Sequence, residues 1–476
     1  MPKITIFSGG TATNELTPIF TNLSNCNNTS YVIPISDNGG STAEIIRVIG
    51  GPAIGDIRSR LTRLIPNHQE YIRELLSFRL SSDPSLAKQQ WNSIVEGNSE
   101  LWNSFNSSTK EIFRSFFVHL HVELLKRSRI NLSTKRQFRY ELANVGNLFL
   151  TGARLFIGSL DSAIELFCKL TDINSNIQVL PCINTNFTYH ISALLQNGLI
   201  ITGQSQISHP SEPQVENHPP PINKTRPPTP NDDLSRTNYF MDSDIQNVVI
   251  NEVEMNKKLR NKKSLELINN LSVSDDSDGE ESGNIPQYIH PELKKSQLHF
   301  NKSNDIEPLL SPIKRIFYIS PYGEEICPTA NSRVISTISN TDTLIYSIGS
   351  LMTSIVPILV LKGIGKAITT SKCKNKILLL NGCLDRETFG MTAYDFIKVI
   401  IESTEYSLKN QNGGNNIHIP WNQVITHLFY MKNPKIEINH DALYEKGIRL
   451  VEVDRADGGD FFDLGDLENK LSQIIS

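Results

Sequence analysis

The sequence lacks the features that mark several large classes of protein. Its six cysteines are scattered and form no Cys-x-x-Cys pair, which argues against structural zinc and favours reduced thiols. With a formal net charge of −4 and no polybasic block, neither nucleic acid nor an anionic membrane is expected as a partner. The early residues do not resemble a secretory signal, and no apolar run approaches the roughly 20 residues that span a membrane. We therefore expect a soluble cytoplasmic protein.

Familiar catalytic motifs are also missing. No stretch matches a Walker A sequence or a complete Gly-x-Gly-x-x-Gly pattern. The histidines are dispersed, and none accompanies a cysteine or serine motif, so neither a zinc hydrolase nor a serine triad is supported. The chemistry must be sought in less specific patterns.

What the sequence does contain is a repeated strand, glycine turn and helix. Residues 3–65 show this order twice, and two further units follow residue 312, beginning at "TLIYSIGS" and "KILLLNGC". Such a repeat predicts an α/β protein with a mostly parallel sheet and crossover helices.

Composition divides the chain into three parts. Residues 84–130 carry apolar and aromatic side chains at helical spacing, which predicts a helical subdomain whose aromatic residues form core. Residues 210–300 are rich in proline and acidic residues, and we interpret them as a disordered insertion. Strand character resumes directly afterwards, so residues 1–209 and 301–476 are expected to be two parts of one α/β domain.

Three glycine-rich turns follow predicted strands. They are Gly9-Gly10-Thr11, Gly39-Gly40-Ser41 and Gly349-Ser350, called here the first, second and third turns. Such turns bring backbone N–H groups to a helix N-terminus, where the helix dipole favours an anion. One turn alone is more often an ordinary tight turn. Three of them in one parallel sheet favour a phosphate or nucleotide ligand, because such sheets bind ligands at the carboxyl ends of their strands.

Charged and amide side chains accompany the turns. A carboxylate such as Asp37 or Asp56 can hold Mg²⁺ or a ribose hydroxyl, and Arg58 can clamp phosphate oxygens. The ordinary alternatives are a helix N-cap for Asp56 and a surface ion pair for Arg58. In "ANVGNLF", Asn144 is a natural helix cap, but capping does not explain Gly146 and Asn147.

Taken together, these stretches resemble the CofD-like family. The resemblance rests on "SGGTA", "ISDNGGSTAEIIRVIGGPAIGDIRSRL", "VGNLFLTGARLF", "QVLPCI", "LIITGQSQISHP" and "SIGSLMTSIVPILVLKGI". Their order and spacing match across the chain except for the insertion, and "WNSIVEGNSELW" is most similar to the plant and fungal branch. The family includes the 2-phospho-L-lactate transferase of deazaflavin coenzyme biosynthesis and the bacterial gluconeogenesis factor.

The resemblance implies a Rossmann-like fold with the ligand over the strand ends. One implied function is a transferase of phosphorus-containing groups, acting on a nucleotide-diphosphate-linked substrate. In it, Asp37 and Asp56 would hold Mg²⁺ and Arg58 would neutralise phosphate charge. The alternative is a non-catalytic UDP-sugar-binding regulator of carbon metabolism. By motif position the ligand-site residues are Gly9, Gly10, Thr11, Asp37, Gly39, Gly40, Ser41, Gly55, Asp56, Arg58, Asn144, Gly146, Asn147, Gly349 and Ser350.

Two positions depart from the family pattern. Its first turn usually reads Gly-Gly-Thr-Gly, but here Ala12 takes the last place; its acidic pair usually reads Asp-Asp, but here Asn38 is second. The loss of one carboxylate weakens a Mg²⁺ site that would use both.

We also expect two further partners, a second copy of the chain in a homodimer and an acidophilic kinase. Ser272 and Ser277 each have an acid three residues later, so a kinase acting on 272–281 is one interpretation. A solvated acidic spacer is the other.

Overall fold

The structure is a computed structural model, and it describes residues 2–23, 28–36, 39–128, 137–208, 250–251, 308–411, 413, 417–456 and 459–475. The strands in these ranges are β1 (Ile4–Phe7), β2 (Thr29–Ile33), β3 (Ile177–Pro181), β4 (His190–Leu195), β5 (Leu199–Thr202), β6 (Ile250–Asn251), β7 (Ile313–Ile319), β8 (Glu325–Ile326), β9 (Thr343–Tyr346), β10 (Asn375–Leu379), β11 (His427–Met431) and β12 (Arg449–Val453). The helices that precede the insertion are α1 (Thr17–Leu23), α2 (Gly40–Val48), α3 (Gly55–Leu64), α4 (Glu70–Ser77), α5 (Pro84–Glu96), α6 (Ser107–Ser128), α7 (Val145–Ile157), α8 (Leu160–Leu170) and α9 (Gln204–Ser208). Those that follow it are α10 (Ser332–Ser339), α11 (Val356–Leu359), α12 (Ile364–Thr370), α13 (Ala393–Gln411), α14 (His440–Glu445) and α15 (Leu464–Ile475).

Seven parallel strands form the main sheet, in the order β12-β11-β10-β9-β1-β2-β3. The central strands β1, β2 and β9 are buried along their whole length, as expected where helices cover both faces of a parallel sheet. The predicted α/β fold with a mostly parallel sheet is confirmed.

The strand order has one reversal, between β1 and β9. The chain builds β1, β2 and β3 outward in one direction, then returns to place β9 on the other side of β1 and continues outward to β12. In open α/β sheets a crevice forms at the carboxyl ends of the two strands that flank such a reversal, and ligands bind there. The first turn follows β1 and the third follows β9, so these two turns flank this crevice.

A second sheet is antiparallel and was not predicted. Its order is β6-β5-β4-β7-β8, and β4 pairs with both β5 and β7. The chain therefore leaves this sheet after β5, adds β6 to it beside β5, and returns to pair with β4 at β7. Within the interval 210–300 the structure describes β6 alone, and the predicted disorder otherwise lies outside the described residues.

Aromatic side chains form the interior of the helical region over α5–α7. Trp91 is fully buried and donates from Nε1 to His121 Nδ1 at 3.0 Å, while Phe113 and Phe117 pack against Phe149 of α7. Helix α5 has the expected ends: Asp83 caps it and Pro84 occupies its first turn. The aromatic stripe is therefore core rather than a ligand surface.

No helix in the described ranges is long and apolar enough to cross a membrane.

Candidate functional site

The first and third turns are in contact across the crevice. The Thr13 hydroxyl donates to the Ile348 carbonyl oxygen at 3.0 Å, and a Cβ added to Gly9 would lie 2.7 Å from Ser354 Oγ. A Cβ on Gly349, which has a φ of +140°, would lie 3.8 Å from the Cβ of Ala12. Ala12 itself has no positive φ, so glycine is not required by the backbone where the family pattern has it.

Asp56, in the first turn of α3, lies against the first glycine turn. A Cβ on Gly10 would overlap Asp56 Oδ1 and lie 2.6 Å from its Cα, and one on Gly9 would lie 3.6 Å from Oδ2. The N-cap position of α3 is Ile54, so Asp56 lies within the first turn of the helix. There the positive end of the helix dipole stabilises the negative charge of its carboxylate. The packing of α3 against the first turn therefore requires glycine at position 10, whether or not a ligand binds.

Arg60 lies behind the first turn and is completely buried. Its guanidinium donates to the carbonyl oxygens of Gly9 and Thr13, each at 3.4 Å, and to Thr17 Oγ1, and it lies 4.7 Å from the centre of the Tyr31 ring. Burial lowers the pKa of Arg60, and the charge of Asp56 raises it. By holding these carbonyl oxygens, Arg60 fixes the peptide orientation of the turn and places a positive charge beneath it.

The second turn connects to Asn144, the N-cap of α7, through a hydrogen bond. Ser41 Oγ accepts from the Asn144 backbone N–H at 3.0 Å. The Asn144 side chain caps α7, accepting from the N–H groups of Gly146 and Asn147 at 3.0 and 3.3 Å. Its amide nitrogen donates to the carbonyl oxygens of residues 77 and 78, so its hydrogen bonds are internal. Asn144 is a structural cap, as the ordinary interpretation held.

Gly146 and Asn147 instead support Arg58. A Cβ on Gly146 would overlap the Leu76 carbonyl oxygen and lie 3.0 Å from Arg58 Cδ, and Asn147 Oδ1 accepts from Arg58 Nε at 3.2 Å. Arg58 is therefore held by α7 rather than free on the surface. Burial and the nearby charge of Arg79 lower its pKa, while Asp56 raises it.

A second arginine, Arg79, lies beside the second turn. It is exposed, and a Cβ on Gly40 would lie 3.8 Å from its Nη2. Gly40 has a φ of +51° and begins α2, whose preceding residue, Gly39, provides no side-chain cap. Two arginines and a helix N-terminus without a side-chain cap thus face the same place.

The structure therefore groups most of the predicted residues around α3. Asp56 lies against the first turn, and Arg58 is held by α7, with Gly55 opening the helix. Thr11 is exposed at the mouth. Asp37 lies outside the described residues, as does Asn38. Among the residues described, no three His, Cys, Asp or Glu side chains gather into a group that could hold a metal.

Several residues at this site escaped the sequence interpretation. Asn381 follows β10 and binds Gly349 at both ends, accepting from its N–H at 3.1 Å and donating to its carbonyl oxygen at 2.8 Å. Glu387, in the same loop, accepts from the hydroxyls of Ser350 and Thr353. Both residues follow a predicted strand, and the same pattern made Asp37 a candidate site residue, so the sequence could have indicated them too. Arg60 and Arg79 carry no comparable signal.

Comparison with known proteins agrees with this geometry. Residues 4–457 match the family model described as 2-phospho-L-lactate transferase CofD. An uncharacterized protein of Saccharomyces cerevisiae, YNL011C, is 41% identical over 479 residues, covering 99% of each chain. A putative gluconeogenesis factor of Thermotoga maritima is 21% identical over 200 residues, which is 41% of this chain and 62% of that protein.

Solved structures show the same fold. Two crystal structures of the Bacillus halodurans protein BH3568, one described as a member of the UPF0052 family, superpose with TM-scores of 0.55 and 0.56 at 15% identity. Each alignment covers 100% of this chain and 99% of the other. The family model spans nearly the whole sequence, and the resemblance predicted from the turns is confirmed: the chain belongs to the CofD family.

Proposed function

We propose that this protein binds a nucleotide-diphosphate-linked substrate in the crevice between β1 and β9. As a 2-phospho-L-lactate transferase-like enzyme, it transfers the phosphorus-containing group to the hydroxyl oxygen of an acceptor, breaks the diphosphate link and releases the nucleoside monophosphate. The proposal rests on one observation: at the strand-order reversal, the first turn lies against both the third turn and Asp56. Ligands of open α/β sheets bind at this place.

The region beside the second turn, which contains Arg58 and Arg79, supplies the positive charge that a diphosphate needs. The charge of Arg79 lowers the pKa of Arg58 more than the charge of Asp56 raises it, so a further anion beside the two arginines would be favourable. The N-terminus of α2 adds its dipole at the same place. In the reaction, Arg58 would neutralise charge that develops on the transferred group, because Asn147 already fixes its orientation.

A divalent cation fits this arrangement as a shared ligand of protein and substrate. Mg²⁺ in phosphoryl-transfer sites is usually held by one or two carboxylates, substrate phosphates and water, so a larger acidic cluster is unnecessary. Asp56, whose carboxylate lies against the first turn, and Asp37, which follows β2 in the sequence, would hold it. The ion would supply neutralisation of phosphate charge.

A second function is favoured by one sequence position. Asn38 replaces the second acid of the family pattern and leaves fewer carboxylates for Mg²⁺. The Thermotoga relative is named a putative gluconeogenesis factor. A non-catalytic UDP-sugar-binding regulator of carbon metabolism would need the phosphate-binding turns and arginines but no metal.

Ligand-dependent thermal stability distinguishes these functions. GDP, UDP and UDP-N-acetylglucosamine, each with and without Mg²⁺, are compared on wild type, Asp56→Asn and Arg79→Gln. A ligand at one hundred times its Kd stabilises the native state by about 2.7 kcal/mol, which is readily detected. A guanosine preference that needs Mg²⁺ and is reduced in Asp56→Asn supports the transferase. A UDP-sugar preference without a metal requirement supports the regulator.

The matched control is Arg449→Gln, which removes an exposed arginine at the amino end of the edge strand β12. It changes the net charge by the same amount as Arg79→Gln. Arg449, however, lies at the amino end of its strand, away from the carboxyl ends of β1 and β9 that form the crevice. If no nucleotide stabilises wild type, or if Arg79→Gln and Arg449→Gln lower affinity equally, the proposed site is wrong.

A further inference from the structure

Glu387 is a buried carboxylate whose side-chain partners are hydroxyl groups. It is 5% exposed and lies in the loop after β10. Its Oε1 accepts from Ser208 Oγ and, at 2.9 Å, from Thr353 Oγ1, and its Oε2 accepts from Ser350 Oγ. Three hydroxyl donors from two separate segments therefore converge on one carboxyl group.

Two of these hydroxyls belong to the third turn and the helical turn that follows it. Ser350 Oγ also accepts from the Thr353 backbone N–H at 3.0 Å, so it caps the π-helical turn Leu351–Ile355. Since Glu387 accepts the proton of the same hydroxyl, the carboxylate fixes the direction of the capping oxygen. Asn381 holds the backbone of Gly349 one residue earlier. The loop after β10 thus determines the shape of the third turn.

The remaining hydroxyl, that of Ser208, belongs to α9. This short helix follows β5 of the antiparallel sheet, and at its other end Gln204 Oε1 accepts from Ser36 Oγ at 3.4 Å. Ser36 lies after β2, close in sequence to the second turn. Helix α9 therefore runs from the carboxyl end of β2 to Glu387, across the edge of the sheet that carries all three turns.

Asp385 is a charged neighbour of Glu387 in the same loop. Asp385 Oδ1 accepts from the backbone N–H groups of Glu387 and Thr388 and from the Thr388 hydroxyl. Burial, and next the charge of Asp385, raise the pKa of Glu387 to about 7, against the lowering effect of its three hydroxyl partners. The carboxyl group can therefore change its charge near neutral pH.

We propose that Glu387 is a positioning residue: its hydrogen bonds to the three hydroxyls hold the third turn and α9 together in the arrangement that the ligand needs. The two carboxylate oxygens accept from all three hydroxyls, whereas the amide nitrogen of a glutamine at this position could not accept from any of them. The inference rests on the proposed function for its effect on ligand binding, but its effect on the fold needs no ligand.

Amide hydrogen exchange without nucleotide tests the structural half. Wild type, Glu387→Gln and the control Glu402→Gln, an exposed glutamate of α13, are compared at pH 6 and pH 8 after correction for intrinsic exchange rates. We expect residues 204–208 and 351–355 of wild type to be better protected at pH 6, because opening them would expose Glu387 and return its raised pKa toward the ordinary value. Glu387→Gln should be poorly protected at both pH values. Glu402→Gln should behave as wild type.

Two further variants separate this role from a general loss of stability. Ser208→Ala should expose 204–208 to exchange but leave 351–355 protected, because Ser350 and Thr353 keep their hydrogen bonds to Glu387. The stability of wild type should be highest below the ordinary carboxyl pKa and fall as pH rises through about 7, because the native state keeps the Glu387 proton longer than the unfolded chain. Glu387→Gln should lack that decline.

The outcomes are decisive for each half of the inference. If wild type and Glu387→Gln show the same pH dependence of exchange at 351–355, Glu387 does not position the turn. Where UDP or GDP stabilises wild type, Glu387→Gln should bind it roughly tenfold more weakly, the value of about one hydrogen bond. Equal binding overturns the role in ligand recognition. Failure of every nucleotide on wild type overturns the proposed function, and the exchange comparison still decides the role of Glu387.

Discussion

At the first turn, a Cβ on Gly10 would lie 2.6 Å from the Cα of Asp56, whereas at the second turn Gly40 has room around it and a φ of +51°. The first glycine is required by a neighbouring helix, and the second by its own backbone conformation. Two glycine turns that look alike in the sequence therefore have different physical causes.

This difference shows where the evidence for a ligand is strongest. At the first turn, protein packing already explains the lack of a side chain. At the second turn, packing does not explain why Arg58 and Arg79 lie near each other beside a helix N-terminus. The charge arrangement, rather than the glycines, is what an anionic ligand would account for.

The largest effect should follow a substitution at the first turn. Gly10→Ala forces a Cβ against the backbone of α3 and should reduce the free energy of unfolding by about 3 kcal/mol, as overpacking of a rigid core does. Gly9→Ala is the matched comparison, since its Cβ would meet the Ser354 hydroxyl, a side-chain atom that can rotate away. Urea unfolding of both variants measures the difference; equal losses would mean that α3 can shift.

At the second turn, the larger effect should be on binding. Arg79→Gln should weaken nucleotide affinity roughly tenfold, about the value of a charge-assisted hydrogen bond, while stability changes by less than about 0.5 kcal/mol because the side chain is exposed. Calorimetric titration and urea unfolding provide the two values. A loss of stability without a change in affinity would assign Arg79 a structural role.

Gly40→Ala should cost about 1 kcal/mol of stability, the strain of a left-handed backbone without a clash. Gly40→Asn should cost less, since asparagine tolerates this conformation better. If both variants lose as much stability as Gly10→Ala, the two turns do not differ as described.

The smallest effect should come from replacing residues 210–300 with a short Gly/Ser linker. Loop closure depends on the logarithm of loop length, so stability should change by no more than about 1 kcal/mol. Strands β5 and β7, on either side, already belong to one sheet through β4. A variant that aggregates or melts far below wild type would show that the segment covers core surface.

The parallel strands and their turns could be predicted from the sequence, but the antiparallel sheet and some contacts of the site could not. Buried apolar strands that end in glycine are local signals, so β1, β2, β9 and β10 and their turns could be recognised. The antiparallel sheet could not, because β4 and β7 are separated by the insertion and pair only in three dimensions. Likewise, nothing local shows that Glu387 reaches Ser350, since their contact depends on the adjacency of β9 and β10.

The capping interpretation of Asn144 was confirmed by its hydrogen bonds, whereas Asp56 proved to be inside its helix rather than at the cap. Both depend on the placement of a helix start within one or two residues, which sequence patterns leave uncertain. The roles of Asp37 and Asp56 as Mg²⁺ ligands stay a prediction.

The central claim is that a nucleotide diphosphate lies across the strand-order reversal, against all three turns. Hydrogen exchange of wild type with saturating GDP or UDP, with and without Mg²⁺, tests it most directly. The account predicts slower exchange at residues 9–11, 39–41 and 349–351, and no change at the carboxyl ends of β11 and β12. Nucleotide binding that leaves the three turns unchanged, or that protects β11 and β12 instead, would contradict it.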